Sequence, residues 1–354
     1  MKILVLPGDG IGPEITEATL AVLAAADRRF RMGLAIEQNQ VGFAALDAHG
    51  TTCPPPVVER ARAADGVILG PVSHNEYPPV ARGGINPSGK LRIELDLYAN
   101  LRPAKASPGV PALAPAMDIL IARENTEGFY ADRNMIEGSG EFMPVEGVGL
   151  AVRKITATGS RRIALAGFRE AMRRHRRVTA VHKANVMRLT DGIFLDQTRQ
   201  VAGEFPEVAY DEMLVDAAAA WLIRDPGRFD VIVTTNMFGD ILSDEASELA
   251  GSLGLAGSLN AGDRHAMAQA QHGSAPDIAG QGIANPISLV LSAAMLLGWL
   301  GDRHGDSACR EAGAAIDAAV WAMLADGGVR TPDLGGSCRT MDIAQNLCDR
   351  LAAA

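Results

Sequence analysis

The chain has 354 residues, 47% hydrophobic and 21% charged, which is an ordinary balance for a folded globular protein long enough for two domains. Its net charge of −9, from 33 basic and 42 acidic residues, argues against nonspecific nucleic-acid binding, which needs a positive field. No apolar run reaches membrane-spanning length, and the four cysteines show neither CxxC nor zinc spacing, so free thiols in a reducing cytoplasm are expected.

The opening MKILVLPGDGIGPEI reads as a strand over 2–6 emptying into a loop with Gly8, Gly10 and Gly12. A dinucleotide-binding turn needs G-x-G-x-x-G and an acid about twenty residues on. Here the spacing is G-x-G-x-G, and the region near Asp27 reads as the polar end of a helix. The loop is therefore a strand-to-helix turn, and a nucleotide must bind elsewhere. Met1-Lys2 runs straight into the strand, so no signal peptide is expected. Further strands are predicted at 67–70, 118–123, 163–166, 178–181 and 230–235. Helices are predicted at 13–26, 56–63, 168–175, 185–202, 240–253, 286–300 and 309–325. The alternation points to an α/β fold with a largely parallel sheet. RPAKASPGVPALAP (102–115) reads as a crossing between lobes, and 132–148 as an arm or loop. An arginine cluster over 161–177 reads as a solvated helix face, with no aromatic residues interleaved to stack bases.

Four segments carry chemistry. In DVIVTTNMFGDILSDEAS, a buried strand leads to a helix starting near Gly239, and Asp240 and Asp244 stand four apart on one face. Acids in a first turn can simply answer the helix dipole. They can equally hold a hard divalent cation, Mg²⁺ or Mn²⁺. In VTAVHKANVMRLTDGIF, Lys183 sits at a strand end, where desolvation can turn a lysine into a base; an exposed surface lysine is the plainer reading. Asn185, two residues on, reads as a cap before it reads as a ligand. In GKLRIELDLYANLRP and LIARENTEGFY, Arg92, Arg102 and Arg123 suit an anionic substrate through paired guanidinium–carboxylate bonds. Tyr130 can serve as a proton donor or as packing. In HGSAPDIAGQGIANPIS (272–288), small residues let a flat ligand approach backbone, and Asp277 can accept from a ribose 2′-hydroxyl and repel a 2′-phosphate.

Taken in order, LPGDGIGPE, LDLYANLRP, RENTEGFY, VHKANVMRLTDGIF, NMFGDILSDEAS, HGSAPDIAGQGIANP and TPDLGG resemble the isocitrate/isopropylmalate dehydrogenase family, the metal-dependent β-decarboxylating dehydrogenases. The resemblance implies a two-domain isopropylmalate dehydrogenase-like α/β fold, not a Rossmann fold. Residues 1–98 and 255–354 would form the large domain, and 99–254 a small central domain building a homodimer or tetramer. It implies NAD and Mg²⁺ or Mn²⁺ as cofactors and a 3-substituted malate as the small-molecule substrate, with no nucleic-acid or membrane partner. Carried over by position, Arg92, Arg102 and Arg123 hold the malate carboxylates, Tyr130 is the acid, and Lys183 from the partner is the base. Asp240, Asp244 and the partner's Asp216 bind the metal. The cofactor site takes His272, Gly273, Ser274, Ala275, Asp277 and Asn285, together with Asn185.

Asn86 and Ser88 stand where the third substituent of malate is read. Isocitrate enzymes carry these two residue types in swapped order, and isopropylmalate enzymes carry bulky aliphatics. A polar pocket suits a hydroxyl or carboxylate better than an isopropyl group. Gln269 replaces the family's usual glutamate, a change expected to touch cofactor positioning. Loop 72–84 matches no branch. A non-catalytic regulatory subunit of the same fold is the alternative function, although such subunits usually lose one of the groups kept here at Lys183, Tyr130, Asp216, Asp240 and Asp244.

Overall fold

The structure, a computed structural model, describes residues 1–130 and 140–353. Its strands are β1 (Lys2–Leu6), β2 (Ala35–Gln38), β3 (Gly66–Leu69), β4 (Ala99–Lys105), β5 (Asp118–Glu124), β6 (Glu141–Val145), β7 (Val148–Ala151), β8 (Arg177–His182), β9 (Ala209–Leu214), β10 (Val231–Thr234), β11 (Leu259–Ala261) and β12 (Ala266–Gln269). Its helices are α1 (Gly12–Phe30), α2 (Phe43–His49), α3 (Pro55–Ala63), α4 (Pro87–Glu94), α5 (Ala157–Met172), α6 (Thr190–Glu204), α7 (Val215–Arg224), α8 (Asn236–Ala250), α9 (Ile287–His304), α10 (Ser307–Asp326) and α11 (Thr340–Ala353).

Ten strands make one sheet in the order β2-β1-β3-β12-β11-β4-β5-β10-β8-β9. Strands from 1–98 and 255–354 fill one half, and strands from 99–254 the other. Each half is parallel at its outer end, while the central pairs β12–β11, β11–β4 and β4–β5 are antiparallel. This is not a Rossmann strand order. Among the described residues, no helix is long and apolar enough to cross a membrane.

Two sequence expectations are corrected. Residues 163–166 lie inside α5, not in a strand. Ile163, Ala164, Gly167, Phe168 and Ala171 are among its buried residues, a helical spacing that a four-residue apolar window cannot reveal. Residues 102–105 are not a crossing but the end of β4, paired to β5 along its whole length. Pro103 is tolerated there because pairing with β11 stops at Leu101, leaving one edge of β4 free. Of the expected arm, 132–139 lies outside the described residues, and β6 and β7 form an exposed hairpin separate from the main sheet. The arginine cluster is largely ion-paired: Arg161 to Glu204, Arg162 to Asp96, Arg173 to Glu170 and Asp302, and Arg174 to Asp118 and Asp230.

The opening glycine loop packs against another loop. Gly10 has φ of +58°, and an added Cβ would come within 2.0 Å of the Ser274 carbonyl oxygen, which accepts from the Ile11 N–H at 2.8 Å. Asp9, also buried, accepts from the N–H groups of Phe43 and Ser73 and from the Tyr77 hydroxyl. Loop 72–84 is thereby strapped down on the opening glycine loop, which in turn packs against the loop that carries HGSAPD. Gly33 shares a positive φ of +66°, with open space around its would-be Cβ. Gly10→Ala is therefore expected to lower unfolding free energy by about 2 kcal/mol or more, and Gly33→Ala by less. Denaturant titration of both variants measures the loop contact as the difference.

Candidate active site

The β4–β5 register sets the site. Asn100 pairs opposite Arg123, and Arg102 opposite Ile121, so Asn100, Arg102 and Arg123 project from one face of the sheet. Helix α8 lies over that face. Gly239 lets it settle on Arg123, since an added Cβ would come within 2.6 Å of the Arg123 side chain. Arg102 and Arg123 are both buried. Arg102 donates from Nε to Asn100 Oδ1 at 2.6 Å, and from Nη1 to Ser243 Oγ at 2.7 Å, Asp240 Oδ1 at 3.1 Å and Asp244 Oδ1 at 3.3 Å. Arg123 donates to Asn236 Oδ1 from Nε and Nη2, and to Asp240 Oδ1 from Nη1. Tyr130 donates its hydroxyl to Asp240 Oδ2 at 3.2 Å.

One guanidinium reaches both Asp240 and Asp244, so the two carboxylates share a face as their spacing predicted. The helix begins at Asn236, not near Gly239, which places both acids beyond its first turn. The helix-dipole reading therefore does not account for them. Burial alone would raise Asp240, but the guanidiniums of Arg123, Arg102 and Arg92 more than offset it and hold the carboxyl below its usual range. Arg102 is pushed down to about 10, by burial first and by the neighbouring Arg123 second.

Arg102, Arg123, Tyr130 and Asp240 line a cleft of about 250 Å³, together with Asn86, Ser88, Arg92, Gln269, Gln271, His272 and Gly273. A larger cavity of about 540 Å³ lies on the opposite face of β4, between α5 and α9. Its Arg173 is already paired with Glu170 and Asp302. The smaller cleft is the one that gathers the predicted residues. Ser88 Oγ and Arg92 Nη2 both donate to Gln269 Oε1, at 2.8 and 3.3 Å. Asn86 caps α4 by accepting from the Gly89 N–H. Gln271, which sequence reasoning missed, donates to Asp244 Oδ1 at 2.8 Å and to Ser247 Oγ at 3.1 Å.

The HGSAPD loop borders the cleft. His272 donates from Nδ1 to the Gly273 carbonyl oxygen at 2.9 Å, and its buried Nε2 has no hydrogen-bond partner. Burial lowers its pKa. Ser274 Oγ meets Ser73 Oγ at 2.7 Å. Ala275 has a positive φ of 38°, a strained conformation for a residue with a Cβ. Asp277 is exposed. Asn285 bonds Asp333 of TPDLGG and accepts from the Ile287 N–H at the start of α9.

Lys183 and Asp216 stand outside the cleft. They pair with each other at 2.6 Å, which lowers the Asp216 pKa. Asn185 is exposed in the turns of 184–189 and caps no helix, because α6 starts only at Thr190.

The chain matches the family model for isocitrate/isopropylmalate dehydrogenase over residues 2–347. It belongs to that family. The 3-isopropylmalate dehydrogenase of Methanothermobacter thermautotrophicus is 43% identical over 352 residues, covering 99% of this chain and 98% of the relative. The isocitrate/homoisocitrate dehydrogenase of Thermus thermophilus is 42% identical over 354 residues, with the same shares. The crystal structure of isocitrate dehydrogenase from Methylococcus capsulatus superposes with a TM-score of 0.87 at 37% identity, covering 99% of each chain. The protein is thus a dehydrogenase of this family, acting on a small carboxylate.

Asp240 titrates below its ordinary 3.8. Its contribution to stability is therefore complete above that pH and is lost as pH falls through the folded value. Chemical denaturation of wild type and Asp240→Asn from pH 6 down to about 3 is expected to show the wild-type advantage shrinking only at the acid end.

Proposed function

We propose that this dehydrogenase oxidises and decarboxylates a 3-substituted malate, with NAD as hydride acceptor and Mg²⁺ or Mn²⁺ as the cation. The observation that carries this reading is the convergence of Arg92, Arg102 and Arg123 on one cleft with Asp240 and Tyr130. Three guanidiniums against few acids leave net positive charge for the substrate carboxylates. Arg102 and Arg123 are held from behind by Asn100 and Asn236, so they meet a carboxylate already oriented.

The residues fit both cofactors. The partnerless buried Nε2 of His272, the open space beside Gly273 and the strained Ala275 suit a flat adenosine in the HGSAPD loop, with Ser274 and Asn285 holding the loop in place. Asp277 would select NAD over NADP, and Asn185 would approach the cofactor from the partner. Among the described residues no three metal-ligating groups cluster within one chain, and the Asp244 side chain is 52% exposed toward whatever completes the set. Asp240 and Asp244 would hold the cation together with Asp216 of the partner subunit. Bound there, it would polarise the substrate oxygen and stabilise the charge left as CO2 departs. Lys183 of the partner subunit would take the C2 hydroxyl proton, and Tyr130, fixed on Asp240, would return one to C3.

A shared site needs a homodimer. Val186, Leu189, Ile193 and Ile241 are exposed apolar residues, and the β6–β7 hairpin exposes Phe142, Met143, Val145 and Leu150, surface that suits a second copy. We divide the chain into a large domain of 1–98 with 255–354 and a small domain of 99–254, following the segregation of strands in the sheet. The four unpaired cysteines agree with a cytoplasmic enzyme.

The test is NADH absorbance with Mg²⁺ or Mn²⁺ against 3-isopropylmalate, isocitrate, homoisocitrate, D-malate and tartrate. The Ser88–Gln269–Arg92 corner is polar, so substrates with a hydroxyl or carboxylate at C3 are expected to exceed 3-isopropylmalate; the reverse order would overturn the polar-pocket reading. Lys183→Ala should cut turnover by about 10²-fold or more with NADH binding intact. Asp277→Arg should raise kcat/KM with NADP relative to NAD.

A further inference from the structure

We infer that Arg153 is a positioning residue for Lys183, acting through the buried carboxylate of Asp191. The inference rests on the reading of Lys183 as the base. Lys183 follows β8 at the point where regular structure stops. Its backbone N–H donates to Asp191 Oδ2 at 2.5 Å. Asp191 is fully buried, and its Oδ1 accepts from Arg153 Nη1 at 2.5 Å. With side-chain exposures of 8% for Arg153 and 0% for Asp191, neither charge has solvent to replace the other.

Arg153 does more than neutralise. Nη1 also donates to Thr190 Oγ1 at 2.6 Å, at the start of α6. Nη2 donates to Thr235 Oγ1 at 3.1 Å, just before α8, the helix that carries Asp240 and Asp244. The guanidinium lies 5.6 Å from the ring of Phe238 on α8 and 5.9 Å from that of Phe129, the neighbour of Tyr130. One planar cation therefore fixes the Lys183 turn, two helix starts and the Tyr130 segment in a single geometry. A lysine would keep the charge and lose the fork. Lys183 serves the partner's cleft, while α8 and Tyr130 serve the subunit's own. Arg153 thus sets the alignment between the base a subunit lends and the cleft it keeps.

The test uses the full-length dehydrogenase with Asp191→Asn, Arg153→Lys and the double variant Arg153→Met with Asp191→Asn, which removes both buried charges so that a folded protein remains available. Folding is followed by thermal melting. In the folded variants kcat should fall roughly ten- to a hundred-fold, with substrate KM and NADH dissociation constant near wild type. The acidic limb of the kcat–pH profile should shift, and amide hydrogen exchange in the peptide holding Lys183 should accelerate. Arg153→Lys should retain more activity than the double variant. An unchanged pH limb together with unchanged exchange at Lys183 overturns the inference, whatever happens to kcat. Full activity in Lys183→Ala would remove the base reading instead, and exchange at Lys183 would then decide the clamp by itself.

Discussion

Two guanidinium groups sit beneath one helix, and nearly everything at the site follows from keeping them charged there. Arg102 and Arg123 project from adjacent strands on one sheet face, buried and mutually repelling. Like charges in a low-dielectric setting need an anion between them. Asp240 supplies it, accepting from both, and Asp244 and Ser243 extend the contact along α8. Asn100 and Asn236 take further donors. The carboxylates that look like metal ligands are therefore also what makes the anion-binding face foldable. A cation or a substrate carboxylate arriving at the cleft enters a network that already balances charge, so each exchanges partners instead of creating an isolated buried ion.

Much of this was legible in the sequence. The spacing of Asp240 and Asp244 predicted a common face, and one guanidinium touching both shows it. The failure of the Rossmann spacing at Gly8, Gly10 and Gly12 was also informative, since Gly10 is needed for close approach to Ser274 rather than for a pyrophosphate turn. Other features could not be read locally. The strand end at 102–105 looks like a linker because Pro103 and its neighbours advertise irregular structure; only the early end of the β11 ladder makes a proline acceptable there. The helical burial of Ile163 to Ala171 needs a window longer than the run that imitated a strand.

The misses at the site share one cause, which is tertiary proximity between distant segments. Gln269 reads as a cofactor residue by its place before His272, yet its carbonyl oxygen meets Ser88 and Arg92 on the substrate side. Gln271 carried no motif and still touches Asp244. RENTEGFY looks like a run of candidate chemistry, but much of it is scaffolding. Glu124 accepts from Thr126 and from the Glu127 N–H, and Glu127 accepts from the hydroxyl and N–H of Thr156 at the head of α5. Asn125 reaches Asn260. Residue type marked these positions as constrained; only the fold distinguishes the few that face the cleft.

The seam between the sheet halves has a mechanical consequence. β4 meets β11 through three residue pairs, Ala99–Ala261, Asn100–Asn260 and Leu101–Leu259. Those few rungs carry all continuity of the sheet between its two five-strand plates. The seam is as short as the β11–β12 and β12–β3 ladders beside it, also of three pairs each, and shorter than the seven-pair β4–β5 ladder that follows it. The cleft straddles the edge, with Arg102 and Arg123 on one side and Gln269 on the other. Any change of angle across that short ladder is thus a change in the width of the molecule's own cleft, like a book turning on a narrow spine.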